Sequence, residues 1–200
     1  MSLTAAERAL CALFTEACAG DVAGVATALD EASAAGATPS GIDDVLLLVV
    51  PYGGVPRALL AFGEWRKRGL APAAPHFRPH DAEASGLTTF TGVYGARTAR
   101  VLRELDGYHP DLRTAIVEDA YGRVLARPSL PERLRELAAV PALLAMAAPR
   151  QAAAHALGAR QYGASVEDVI EAAETAQKRV ERARLADALV MLRERMARAE

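Results

Sequence analysis

The chain has 200 residues, 52% of them apolar but only 5% aromatic, and a formal net charge of −2. That apolar share is enough for a core and excludes general disorder. The near-neutral balance gives no electrostatic reason to expect a nucleic-acid partner, and no run approaches the ~18 uninterrupted apolar residues of a membrane span.

The apolar mass is mostly Ala and Leu, which favour helix, and β-formers are few. The expected fold class is therefore all-α. The N-terminus lacks the basic region, apolar run and cleavage site of a signal peptide, so the expected location is cytoplasmic. Cys11 and Cys18 are two turns apart on one predicted helix. At 1.5 Å per residue they lie about 10.5 Å apart along its axis, too far for a disulfide with each other, and they read as buried thiols.

In chain order, Leu3, Ala6, Leu10, Leu13, Phe14 and Ala17 repeat at helical spacing. Thr4 with Glu7 forms a capping box at the start of that helix. A second helix runs from a cap at Asp21 to Ala35 and ends at Gly36. Thr38 caps a third, with Pro39 in its first turn, and Pro51-Tyr52-Gly53-Gly54 is expected to break it. A fourth runs from Val55 to Arg68. Residues 69–80 hold Pro72, Pro75 and Pro79 together with His76 and His80, and read as a linker. His76 and His80 would suit a metal on a helix, but Pro75 and Pro79 oppose a helix there, and no metal or other cofactor is expected.

Helical patterning resumes near Ala82, with a stripe of Val93, Ala96, Ala99, Leu102 and Leu105 ending at Asp106-Gly107. His109-Pro110-Asp111 opens the next helix, with Leu112, Ile116, Ala120 and Val124 inward and a stop at Arg127-Pro128. Pro131 leads a helix to about Ala147, which Pro141 should kink or split. Pro149 opens the helix that carries His155 and ends at Gly163. Ser165 caps the last, with Asp168 three residues on, and one helical pattern continues to the C-terminus.

Aligning Gly36 on Gly163 sets one fixed offset between the front and back of the chain. Under it AGATPSGIDDVLLL faces YGASVEDVIEAA: a glycine stop, a Ser/Thr cap and an Ile/Val-led helix. The expected organisation is a degenerate first repeat over 1–69, a linker over 70–81 and a second repeat over 82–200, packed as a pseudo-two-fold pair. His155 then falls on Ala28 and Glu136 on Ala9, while the first repeat's PYGG falls on Lys178-Arg179-Val180-Glu181.

The segment VEDAYGRVLARPSLPERLRELAAVPALLAMAAPRQAAAHALGARQYGASVEDVIEAA resembles the carboxymuconolactone decarboxylase family, which is related to alkylhydroperoxidase D. The resemblance covers about residues 85–175, and the first repeat, through PYGGVPRALLAF, is similar more loosely. It implies a helical bundle of two fused repeats around a central antiparallel hairpin, and a homo-oligomer, commonly a trimer or hexamer. The peroxidase branch carries a Glu, a CxxC pair and a His four residues later. Glu136 and His155 match, but Ala148 and Gln151 occupy the cysteine positions. Without a thiolate to attack peroxide and a second thiol to resolve it, disulfide-based peroxidase chemistry is not expected. The decarboxylase branch reads Trp-Gly-Glu where this chain has Tyr121-Gly122-Arg123, a base in place of an acid. Arg127-Pro128, Glu136, His155 and Gly163 follow the pattern.

Imidazoles exchange protons near neutral pH, and a neighbouring carboxylate fixes the tautomer. His155 with Glu136 is therefore the candidate catalytic pair. Arg123, Arg127, Arg150 and Arg160 can each supply the bidentate contact to a substrate carboxylate, and Tyr52, Tyr121 and Gln151 are candidate pocket residues. A straight helical hairpin would leave Glu136 and His155 out of register, so a kink or crossing angle has to join them. Two readings follow. One is a cofactor-free lyase or isomerase acting on a small carboxylated molecule. The other is a non-catalytic helical oligomer that binds a small ligand or a protein partner.

Overall fold

The computed structural model describes residues 2–69, 73 and 76–198. Within these residues all regular secondary structure is helical, with no strand. The first four helices are α1 (Ala5–Ala19), α2 (Val22–Ala34), α3 (Pro39–Gly53) and α4 (Val55–Arg66). After the linker come α5 (Ala82–Tyr94), α6 (Thr98–Tyr108) and α7 (Pro110–Thr114), which runs into a π-helical stretch over Ala115–Leu125. Four more helices close the chain: α8 (Glu132–Ala145), α9 (Pro149–Gln161), α10 (Val166–Glu174) and α11 (Arg182–Ala197). The fold is all-α among the described residues. Residues 70–72, 74 and 75, which include Pro72 and Pro75 of the expected linker, lie outside the described residues.

Local cap chemistry sets most helix starts. The Thr4 and Glu7 side chains exchange hydrogen bonds with each other's backbone N–H groups, and Ser165 and Asp168 do the same. Asp21 and Thr38 cap α2 and α3. Between α8 and α9 the turn is so tight that Ala147 takes a left-handed φ of 57°. That conformation costs a residue with a Cβ about 1–2 kcal/mol, partly offset in glycine by its larger unfolded-state entropy. Ala147→Gly is therefore expected to raise stability by up to about 1 kcal/mol, read as the midpoint of urea unfolding.

The structure corrects or refines the sequence reading at five places. The break expected over Pro51-Tyr52-Gly53-Gly54 comes at its end, at Gly54, where φ is 87°, and α3 continues past Pro51 through Tyr52 to Gly53. Pro141 does not split α8, which is one helix from Glu132 to Ala145. The stripe from Val93 to Leu105 does not lie on one helix, because Gly95 at φ 54° ends α5 and only Val93 of the five is buried. The final stretch is likewise interrupted, by a 3-10 turn over Thr175–Lys178 ahead of α11. In the π-helical stretch the fully buried residues are Val117, Tyr121, Gly122 and Leu125, while the expected Ile116, Ala120 and Val124 are half-buried against the core and Leu112 of α7 is exposed. Its hydrogen bonds run i to i+5, as from the Ala126 N–H to the Tyr121 carbonyl, so the inward face drifts away from a 3.6-residue period.

One apolar core runs from Leu3 to Met196. At its centre α1 packs against α8, and each is flanked by the two helices that follow it. The helix starts at positions 5, 22, 39 and 55 recur at 132, 149, 166 and 182, all at the same offset that separates Gly36 from Gly163. The helices between these two series form a separate pair: α5 packs on the π-helical stretch and on α9. That packing is close enough that a Cβ at Gly86 would overlap the Val117 carbonyl, and one at Gly122 the Ala82 carbonyl.

Candidate functional site

Glu136 projects from α8 and His155 from α9, and the 146–148 turn joins the two helices. Counted from that turn, Glu136 lies ~14 Å back along its helix and His155 ~9 Å along the next. The mismatch is closed by Gly158, one turn beyond His155. A Cβ at that position would overlap the Glu136 carboxylate and lie 2.8 Å from Val93 Cγ1. With hydrogen there instead, the carboxylate lies across the surface of α9, and His155 Nδ1 and Glu136 Oε2 meet at 2.8 Å. Glu136 is 2% exposed and His155 8%.

The third member is Tyr52, whose Oη lies 3.3 Å from His155 Nε2. The continuation of α3 past Pro51 is what carries this ring to the site. Phe14 holds it edge-on, with centroids 5.3 Å apart, and the Tyr52 and His155 rings are 5.4 Å apart. An ionised carboxylate only accepts hydrogen bonds. In the neutral imidazole the Nδ1–H therefore donates to Glu136, and Nε2 accepts from the Tyr52 hydroxyl. Burial, reinforced by the Glu136 charge, holds the Tyr52 phenol well above its ordinary pKa, so it stays protonated.

Beside this chain stands an aromatic wall of Phe90, Tyr94 and Tyr121. Phe90 lies 4.3 Å from the Tyr94 ring and 4.8 Å from the Tyr121 ring, and the Tyr121 hydroxyl donates to Tyr94 Oη at 3.4 Å. Burial also raises the Tyr94 and Tyr121 pKa values, and the Glu136 charge contributes to both shifts.

The other candidate residues have separate surroundings. Arg123 is exposed and pairs with Asp119 on its own stretch at 3.2 Å. Arg127 is buried, with its Nε donating to Asp44 Oδ1 at 2.6 Å and its carbonyl accepting from Arg135. Gln151 is exposed at the edge of a groove lined by arginines. Cys11 and Cys18 are free and buried, and desolvation pushes both thiols up to about 12, so neither is a thiolate at neutral pH. His76 and His80 stand in a non-helical segment, and no metal-binding cluster occurs among the described residues. Sequence reasoning missed Gly158 and Tyr94. The small residue one turn after His155 in AHALG was the available signal for the first, and Tyr94 had none.

The offset of Gly36 on Gly163 relates Glu136 to Ala9, His155 to Ala28 and Tyr52 to Arg179. All three of these counterparts line one open cavity of about 740 Å³ between α1, α2 and the 3-10 turn. There Arg179 is bound by Glu16 and Asp21. Each location thus takes two residues from one four-helix series and the third from the other.

Residues 110–194 match the model of the carboxymuconolactone decarboxylase family. The matched span includes Glu136 and His155 and leaves out Tyr52. No curated protein matches the chain.

Proposed function

Because residues 110–194 make this chain a carrier of a carboxymuconolactone decarboxylase family domain, we propose that it moves protons on a small carboxylated molecule, as a lyase or isomerase. The observation that carries this reading is the buried chain Glu136–His155–Tyr52, closed by hydrogen bonds of 2.8 and 3.3 Å. In the protonated imidazole both nitrogens donate: Nδ1–H to the carboxylate, which offsets the new charge, and Nε2–H to Tyr52 Oη. The Tyr52 O–H is then released to face a substrate. As its proton passes to an enolate, Nε2–H replaces it and the imidazole returns to neutral. The reverse sequence removes a proton. Because burial makes Tyr52 a poor acid alone, its proton leaves only as the imidazole resupplies it. The link from Tyr52 Oη to His155 Nε2 is long for an O–H donor, and it is the contact a substrate would loosen.

A screen of carboxylated lactones and keto acids by thermal stabilisation, followed by turnover assays, tests the proposal. His155→Ala is expected to lower kcat by roughly 10²–10⁴. Tyr52→Phe should lower kcat more than it raises KM, and Glu136→Gln should shift the pH profile, because it keeps an acceptor for Nδ1–H but removes the charge. Unchanged turnover in His155→Ala would remove its assigned role.

The runner-up is a non-catalytic member that binds a ligand or partner. It draws on the engagement of both ring nitrogens of His155 and on Arg123 standing where the family pattern has an acid. Ligands that stabilise the protein but are never turned over would favour it. The shared helix spacing supports a companion proposal, that residues 4–66 and 131–193 are copies of one unit, of which the second kept the polar pair. An experimental structure without a two-fold relation between them would overturn this.

A further inference from the structure

On the side of α9 away from α8, a groove of about 550 Å³ runs between α6 and the end of α11. It adjoins a second lobe of about 540 Å³ and shares Tyr94, Arg97, Leu157 and Arg198 with it. Five guanidinium groups line the groove, from Arg97, Arg100, Arg150, Arg195 and Arg198, against one carboxylate, Glu104. In a chain of net charge −2 this is a marked segregation of charge. Arg198 pairs with Glu194 at 3.4 Å, and Arg97 lies over the Tyr94 ring at 5.9 Å. Arg100, Arg150 and Arg195 make no ion pair or hydrogen bond among the described residues. The one acid is itself engaged, since Glu104 accepts from the Tyr108 hydroxyl at 3.2 Å.

Like charges gathered in one concavity repel, and a bound anion relieves that repulsion. The guanidinium fork suits phosphate and carboxylate oxygens. A single carboxylate offers two oxygens and one charge, too few for this many cations. A phosphate monoester brings three terminal oxygens and nearly two charges. Apart from Gln151, the rest of the lining is apolar or aromatic, including Val101, Leu105, Leu157 and the ring of Tyr108, which is 68% exposed beside the arginines. An exposed ring next to cations offers a stacking face.

We propose that this groove binds a small phosphorylated organic molecule, with the phosphate held by Arg100 and Arg150 and an apolar or aromatic part lying on Tyr108. The site is separate from the acid/base chain and does not depend on its activity. Its nearest links to that chain are Tyr94, which also touches Tyr121, and Gln151, one turn before His155.

Titration calorimetry of the whole chain with phenyl phosphate, and separately with inorganic phosphate, is the test. Saturable one-site binding is expected, with phenyl phosphate roughly tenfold tighter because only it reaches Tyr108. Arg100→Ala with Arg150→Ala should weaken it by roughly tenfold or more and leave the unfolding midpoint in place, since both side chains are exposed. Tyr108→Ala should erase the difference between the two probes. The proposal is overturned by no saturation at millimolar probe or by equal affinity in the double variant. It is also overturned if a short RNA oligonucleotide, or phosphatidylserine-containing vesicles, bind in a way that phenyl phosphate does not displace, because the arginines would then serve a macromolecular surface.

Discussion

Arg127→Met is expected to destabilise the protein by about 3–5 kcal/mol, which for a chain of this size lowers Tm by roughly 6–20 °C. Arg127 follows the π-helical stretch, and its Nε reaches Asp44 of α3 across 83 positions of sequence. Both residues are buried, at 8% and 3% exposure. The Asp44 carboxylate already has one oxygen, Oδ2, without a hydrogen-bond partner. Methionine fills the space of the Arg stem but leaves the carboxylate charged in a low-dielectric setting with its cation removed, and that penalty dominates the loss. Asp44→Leu combined with Arg127→Met removes both charges, and should recover most of the stability lost in the single variant. Urea unfolding of the wild type, both singles and the double measures the coupling directly. A single variant within about 0.5 kcal/mol of wild type, the range of ordinary surface substitutions, would mean that the pair is solvated and does not hold the two halves together. Arg127 was a candidate for holding a substrate carboxylate. It is buried on Asp44, and the four-part cycle weighs that contact without reference to any substrate.

What could be read from the sequence divides along the range of the interactions. Caps are local. Thr4 with Glu7, Asp21, Thr38 and Ser165 with Asp168 each satisfy N–H groups within three residues, and each helix starts where that chemistry places it. The all-α class follows from composition for the same reason. Breaks were less legible, because proline and glycine compete. Pro51 and Pro141 stay inside helices whose other bonds and packing outweigh one missing donor, whereas Gly54 and Gly95 adopt a φ that no helix continues through. The π-helical stretch was invisible to a search for 3.6-residue spacing, and it centres the inward face on Val117 and Tyr121, leaving Ile116 and Ala120 half-buried at its edge. Long-range partners were the hardest. Glu136 and His155 came together as candidates through family resemblance, since AAAHALGA alone suits a core histidine equally well. Nothing in the sequence says that Tyr52, 103 positions away, ends on the same imidazole. Nor does it say that five arginines from three separate parts of the chain share one groove.

The second large effect concerns the residue that makes the candidate site possible. Gly158→Ala adds one methyl where Glu136 Oε2 now lies, with Val93 Cγ1 at 2.8 Å on the other side. Neither neighbour has free room, because Glu136 is 2% exposed and Val93 also 2%. Overpacking of this kind costs about 1–3 kcal/mol. Here the easiest relief is to push the carboxylate off His155, which adds the loss of a buried charge-assisted hydrogen bond. The expected result is a loss of about 2–4 kcal/mol, together with faster solvent exchange of the His155 Nδ1–H proton in the variant than in the wild type by NMR. Glu136→Ala separates crowding from helix propensity. Alanine is the better helix former by ~1 kcal/mol, so with the carboxylate gone Gly158→Ala should cost far less, the contact with Val93 Cγ1 alone remaining to be relieved. The two substitutions then depart from additivity by well over the ~0.5 kcal/mol seen for independent sites. Additive effects, or an unchanged Nδ1–H exchange rate in Gly158→Ala, would show that the carboxylate has another place to sit. The glycine would then owe its position to helix packing, and the Glu136–His155 contact would have slack that the 2.8 Å distance conceals.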